Sequence, residues 1–279
     1  MQAAPTPHSA ERGRKLITVQ DSHQFTYRHN RPENQDAYFI LTGAARPDAS
    51  GQILIQAVLD GISSANGRES SGFALDAAYK SLAGLVARSR DLARMDEDRR
   101  YALILGAMKD AVRRADAALR TRPGDNGSTI SIAVVFGGYV YTCNIGDSPI
   151  YLLRDSDESP NLKELFFSHN EAAIQVREGI MTRDEAVYSP SKNHLCRALG
   201  DARRIREDEI PFFREPLGAS SILLMGSDGA LSVFPPSRLQ ELTTRAVSMQ
   251  NLVEQVYEDV QDSESDDNFT MLATRILVS

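Results

Sequence analysis

The sequence predicts an α+β fold: two packed antiparallel β-sheets, a β-sandwich, flanked by α-helices on both outer faces. Three observations carry that reading. Short apolar and β-branched runs recur along the chain, two long helical blocks divide them into an early and a later group, and a Gly-Gly turn joins two such runs as a hairpin. No repeat, low-complexity linker or composition break interrupts 15–279, which therefore read as one domain. Residues 1–14 are small, polar and Pro-containing, without the apolar stretch of a secretory signal, and read as a flexible tail.

The first strand expected is 37–41, opened by Asp36. The second, 53–59, runs into Asp60-Gly61. From Glu69 to about Leu92 the pattern turns helical. Tyr101, Ile104, Met108, Ala111, Ala115 and Leu119 then recur at three- and four-residue steps, one apolar face of a second helix. The breaker cluster from Pro123 to Gly127 ends it. Residues 129–136, β-branched and alternating, and the returning strand 139–145 flank Gly137-Gly138, where positive φ at both turn residues meets no Cβ clash. Gly146-Asp147-Ser148 turns the chain into a strand at 150–154, and a polar loop at 155–161 leads to another at 162–167. Short helices are expected at 171–178 and 182–187, strands at 221–225 and 269–277, and an amphipathic helix at 248–260.

Composition narrows the function classes. With 42% hydrophobic and 25% charged residues the chain reads as an ordinary globular protein, and no apolar run approaches a membrane span. Net charge is −7 with the basic residues dispersed, which argues against a nucleic-acid partner. Cys143 and Cys196 both sit in apolar sequence and read as two buried thiols of a cytoplasmic protein. Neither they nor the five histidines have zinc-ligand spacing.

The chemistry is carried by aspartates at strand ends. Asp36 and Asp267 precede apolar strands, and Asp60, Asp147 and Asp228 follow them. In antiparallel sheets one strand's start lies beside its neighbour's end, so all five can gather at one edge. Crowded carboxylates repel one another unless a cation compensates, and oxygen-only ligands favour magnesium or manganese. Two such ions roughly 3.5–4 Å apart activate a bridging water and clamp an in-line displacement at phosphorus. Asp60-Gly61 and Asp228-Gly229 add a sharp turn that brings a backbone carbonyl close. Any one Asp-Gly alone is only a turn signal, and the argument needs the set.

In order along the chain, these segments resemble the metal-dependent protein phosphatases of the protein phosphatase 2C family, bacterial type. Arg31-Pro32-Glu33-Asn34-Gln35-Asp36-Ala37 is similar to the family's R-x-x-N-Q-D-A, and Ala57-Val58-Leu59-Asp60-Gly61 to its V-x-D-G. Asn126-Gly127-Ser128-Thr129 and Asn144-Ile145-Gly146-Asp147-Ser148 resemble G-S-T and N-x-G-D-S. The stretch from Arg177 to Ala186, ending at Cys196-Arg197-Ala198-Leu199-Gly200, resembles the bacterial flap. Ser227-Asp228-Gly229 and Asp267-Asn268-Phe269-Thr270 match the closing elements.

The resemblance, over about 15–278, implies a helix-flanked β-sandwich with a two-metal centre. It also implies direct hydrolysis of phosphoserine or phosphothreonine on a protein by a metal-bridged hydroxide, without a phosphoenzyme. Carried over, Asp36, Asp60, Asp228 and Asp267 are metal ligands, Gly61 lends its carbonyl, Asp147 with Asp228 forms a third metal position, Arg31 grips the phosphate, and Asn268 fixes the Asp267 side. The implied partner is a phosphorylated protein, the product of a serine/threonine kinase, and the expected state is a monomer.

Three departures stand out. Gly61 is followed by Ile62-Ser63-Ser64 where the family has Met or His and then Gly-Gly. Ser168-His169-Asn170 lacks the aspartate of D-H-S, and Pro149 replaces an arginine. Plain readings stand beside the functional ones: Arg31 as a surface residue, Asp147 as a turn cap, His29 as a solvated loop residue, His169 as structural. Ser63, Ser64, Ser70 and Ser71 lack a histidine partner and read as loop and helix-start residues, and most of the acidic run 262–267 as a solvated loop. Two rival functions remain: a phosphatase-like binding module without catalysis, and a metal-dependent phosphatase of small molecules.

Overall fold

The computed structural model describes residues 15–43, 52–62, 66–154 and 161–279. The expected tail at 1–14, Ser63, Ser64 and most of the polar loop at 155–161 lie outside them. In chain order the strands are β1 (Ile17–Tyr27), β2 (Asp36–Gly43), β3 (Ile53–Asp60), β4 (Ile130–Phe136), β5 (Tyr139–Ile145), β6 (Ile150–Arg154), β7 (Lys163–Glu164), β8 (Phe212–Pro216), β9 (Ser220–Gly226) and β10 (Phe269–Val278). The helices are α1 (Gly67–Ala87), α2 (Ser89–Arg94), α3 (Glu97–Arg120), α4 (Glu171–Arg177), α5 (Arg183–Tyr188), α6 (Asp228–Leu231), α7 (Pro236–Arg245) and α8 (Met249–Gln261).

Two antiparallel five-stranded sheets form, ordered β1-β10-β9-β6-β7 and β2-β3-β4-β5-β8. Three apolar clusters hold the layers together. One, with Leu54, Val58, Val135, Leu152, Leu223 and Leu272, fills the space between the sheets. A second packs α1 and α3, through Ala74, Leu82, Ile104 and Met108, on the outer face of the β2–β8 sheet. The third seats α7 and α8, through Leu239, Leu252 and Val256, on the other sheet. This is the helix-flanked sandwich expected. β3 and β4 sit mid-sheet with both faces covered, which is why they are apolar almost throughout, with only Gln56 and Ser131 as buried polar residues among them.

The structure departs from the expected elements where the periodic signal fails. β1 was not expected: it is polar, and its register slips between Val19 and Asp21. That bulge turns Ile17 and Val19 toward the space between the sheets and Phe25 toward the helix-side cluster, although all three are odd-numbered. α7 starts on Pro236, suited to a first helical turn, with few apolar residues to mark it. The expected helix 69–92 is two helices, broken at Arg88. The expected strand 162–167 pairs only at Lys163–Glu164. Cys143 is buried as expected but Cys196 is exposed, and both are free thiols.

Candidate active site at the strand ends

Sheet pairing gathers the aspartates. Asp36 opens β2 and Asp60 closes β3, and the two are direct cross-strand partners. On the other sheet Gly226 pairs with Met271, so Asp228 just past β9 and Asp267 just before β10 emerge at the same end. Like charges placed directly opposite each other destabilise a ladder. Asp36 and Asp60 feel each other and both feel Asp228 and Asp267, and the Asp60 and Asp228 carboxyls lie within hydrogen-bond reach. Burial first, and this mutual repulsion second, push the Asp36 carboxyl up to about 7 and the Asp60 carboxyl well above the carboxylate range. The Thr270 and Ser227 hydroxyls flank Asp36 and offset part of the effect. They are shared with Thr26 at 2.7 Å and the Asn268 carbonyl at 3.4 Å, and both Asp36 oxygens remain buried without a hydrogen-bond partner.

Asp147 follows β5, is buried, and accepts a hydrogen bond from Asn170 Nδ2 at 3.1 Å. Burial, with Asp228 nearby, raises its carboxyl to about 7. Asn170, the last residue of Ser168-His169-Asn170, gives Asp147 a neutral amide donor. Asp147 thus faces the cleft and does not merely cap the Gly146 turn. His169 is structural as expected: its ring lies 2.9 Å from the Gly146 carbonyl, and burial lowers its pKa.

The remaining motifs hold the aspartate backbones. Asp60 N–H donates to Thr129 Oγ1 at 2.9 Å, Ser128 Oγ donates to the Asp60 carbonyl at 3.0 Å, and Thr129 and Ser148 hydroxyls meet at 2.7 Å. The G-S-T and G-D-S segments thus form a buried hydroxyl chain beneath Asp60. Glycine is required after both ligand candidates: a Cβ on Gly61 would fall 2.0 Å from the Gly67 carbonyl, and one on Gly229 would fall 2.2 Å from that of Asn268. Ile62 packs over Gly127, whose own Cβ position its Cδ1 occupies.

Arg31 lines the same cleft of about 900 Å³ as Asp60, Asp147, Asp228 and Asp267. Its guanidinium lies 3.4 Å from Asp267 and 3.5 Å from Asp266. His29, read as a solvated loop residue, instead has its Nδ1 buried and a φ of 50°, a left-handed conformation in the loop that carries Arg31. Asn268 does more than fix Asp267. Its backbone N–H donates to Asp267 Oδ1 at 2.8 Å, while its side chain donates to the Arg28 and Glu33 carbonyls at 2.9 and 3.0 Å and accepts from Gln35 N–H at 2.9 Å. Sequence reasoning missed Lys192 altogether. It is half-buried beside the cleft, burial lowers its pKa, and Asp228 and Asp267 counter that. A single lysine in a polar run carries no motif signal.

Among the described residues no three His, Cys, Asp or Glu side chains form a ready-made metal cage. A small divalent ion that keeps several waters needs only one or two carboxylates, so the donors suit it. The unpartnered, buried oxygens of Asp36 point the same way. Among the described residues, no helix is long and apolar enough to cross a membrane.

A family model of protein phosphatase 2C matches residues 25–187. The serine/threonine phosphatase stp of Listeria welshimeri is 27% identical over 146 residues, 52% of this chain and 55% of its own length, so the chain spans about half the length of the curated relatives it matches. The PPM Ser-Thr phosphatase MsPP of Mycobacterium smegmatis, solved with cacodylate, is 28% identical with a TM-score of 0.69, covering 92% of this chain and 98% of its own. The catalytic domain of the phosphatase PstP, solved with two manganese ions, shares the fold at a TM-score of 0.66 and 20% identity, over 95% of this chain and 99% of its own. With its strand-end aspartates in family order and more than half its length matched by the family model, the chain belongs to the protein phosphatase 2C family.

Proposed function

We propose that this chain is a divalent-cation-dependent phosphatase that hydrolyses phosphoserine or phosphothreonine on proteins. The observation that carries the reading is Asp36, whose two buried oxygens have no hydrogen-bond partner and stand opposite Asp60. Carboxylates so crowded and so poorly solvated are satisfied by hard cations, manganese or magnesium. In this reading Asp36, Asp60, Asp228, Asp267 and the Gly61 carbonyl hold two ions, and Asp147 with Asp228 a third. Bound there, the ions supply Lewis-acid charge stabilisation and an activated water.

The chain's own contribution is orientation and charge. Arg31 exchanges its contacts to Asp266 and Asp267 for two phosphate oxygens, which its planar fork matches, and it stabilises charge that grows on them in the transition state. Water oxygen forms the new bond to phosphorus as the ester oxygen departs. Ile62 offers no proton, so the leaving serine or threonine oxygen takes one from solvent. The named relatives support the substrate class.

Manganese-loaded protein is expected to hydrolyse an aryl phosphate and a phosphoserine peptide, to stop on chelation, and to fall at least about a hundredfold in kcat/KM as Asp60→Asn or Asp228→Asn. Full activity in either variant, or peptide binding without turnover in the manganese-loaded wild type, overturns the assignment.

A further inference from the structure

Resting on that reading, we propose that a groove beside the catalytic cleft binds an apolar side chain of the phosphorylated polypeptide, next to the phosphoresidue. The groove, about 600 Å³, runs between helices α4 and α5 and the edge of the sandwich. That volume suits one or two side chains of a ligand. Its floor holds Tyr151 and Phe166, edge-to-face at 5.6 Å, with Phe234. Phe166 and Phe234 pack on the core yet stay only partly buried, which leaves ring surface facing the groove. Ala173 and Val176 line its helical side.

Continuity with the cleft identifies the occupant. Val187 and Lys192 line both the groove and the carboxylate cleft, and a small cavity of about 50 Å³ behind Asp228 also opens onto Lys192. A chain whose phosphate lies among the aspartates therefore meets the groove across the Lys192 side chain. The Lys192 ammonium meets the Ser232 carbonyl at 3.4 Å and stands between an anionic group and an apolar one. Arg177, stacked over Phe167 at 4.0 Å, adds positive charge at the groove beside a phosphorylated, hence anionic, chain. The helices are tied to the cleft by Asn170, which caps α4 by accepting from Ala173 N–H at 3.0 Å and donates to Asp147. A small aryl phosphate fills only the cleft, whereas a polypeptide reaches both.

The test compares phosphoserine peptides identical except for Leu, Phe, Ser or Glu at positions flanking the phosphoresidue. Manganese-loaded wild-type protein is expected to show a KM about tenfold lower for the best apolar-flanked peptide than for its Ser or Glu counterpart. Ala173→Trp fills the groove and is expected to erase that preference while kcat/KM for an aryl phosphate stays within about twofold, which also certifies folding. Fluorescence anisotropy of the same peptides, without added metal, reads the preference apart from turnover. If wild type hydrolyses the aryl phosphate but treats all peptides alike, or Ala173→Trp keeps the preference, the groove proposal is wrong. If wild type hydrolyses nothing, the phosphatase reading fails, and the anisotropy series alone decides for or against the groove.

Discussion

Replacing Asp36 by Asn is predicted to make the metal-free protein more stable and the metal-loaded protein inactive. The folded state holds the Asp36 carboxyl at about 7, against about 3.8 for an ordinary aspartate. The sign follows directly. Between those values the folded chain keeps a proton that the unfolded chain has lost, so stability declines as pH rises through that window and levels off above it. The full interval corresponds to roughly 4 kcal/mol, at about 1.4 kcal/mol for each tenfold change in proton binding. Asn carries no charge at any pH, removes the clash with Asp60 across the ladder, and fits the same space.

The assay is urea denaturation of chelated wild type and Asp36→Asn at about pH 5 and about pH 8. Wild type is expected to lose several kcal/mol on going to the higher pH, and the variant distinctly less, so that the variant is the more stable at about pH 8. Manganese is expected to reverse the ranking, because wild type gains stability from ion binding and the variant gains far less. Equal pH slopes for the two chelated proteins would refute the claim that an unpartnered carboxylate opposes the metal-free fold here.

Two further changes probe the supports of the site. Asn268→Ala strands three partly buried backbone partners and is expected to cost about 1–3 kcal/mol in urea denaturation. It should also raise KM for an aryl phosphate more than it lowers kcat, since the Arg31 loop loosens; an unchanged KM would count against that role. Gly229→Ala puts a methyl 2.2 Å from the Asn268 carbonyl and is expected to weaken manganese binding in calorimetry, whereas Gly72→Ala on α1, with nothing within 4 Å, should add about 0.5–1 kcal/mol. Identical behaviour of the two glycine variants would show that the close approach at 229 does not matter.

Much of the fold was legible where the chain follows one period. The α3 face coincides with its 3.6-residue spacing because one side of the helix is buried against the sheet, and the 139–145 and 150–154 strands, buried on both faces, stand out as apolar runs bounded by glycine turns. The aspartates were legible for a related reason: each borders an apolar run, and antiparallel pairing turns borders into neighbours. β1 was illegible because its bulge cancels the alternation, and because Ser22 and Thr26 meet Thr274 and Thr270 through hydroxyls where apolar packing would have left a pattern. Lys192 and the second role of Asn268 were illegible because both depend on what faces them across the fold, which local spacing does not encode.

The site is divided between two sheets, and that division explains the importance of Asn268. Asp36 and Asp60 belong to one sheet, while Asp228 and Asp267 border strands of the other. The apolar cluster between the sheets fixes their spacing only through deformable side chains. Hydrogen bonds fix it at the site itself. Asn268 Oδ1 accepts from Gln35 N–H at 2.9 Å, and the Gln35 carbonyl accepts from Gly61 N–H at 3.1 Å. The same amide donates to both ends of the loop that carries Arg31. One buried side chain therefore relates the Asp267 half, the Asp60 half and the Arg31 loop to one another. An ion pair bridging the sheets needs its donors matched to a few tenths of an ångström, and polar contacts with narrow distance limits supply that match better than packing alone.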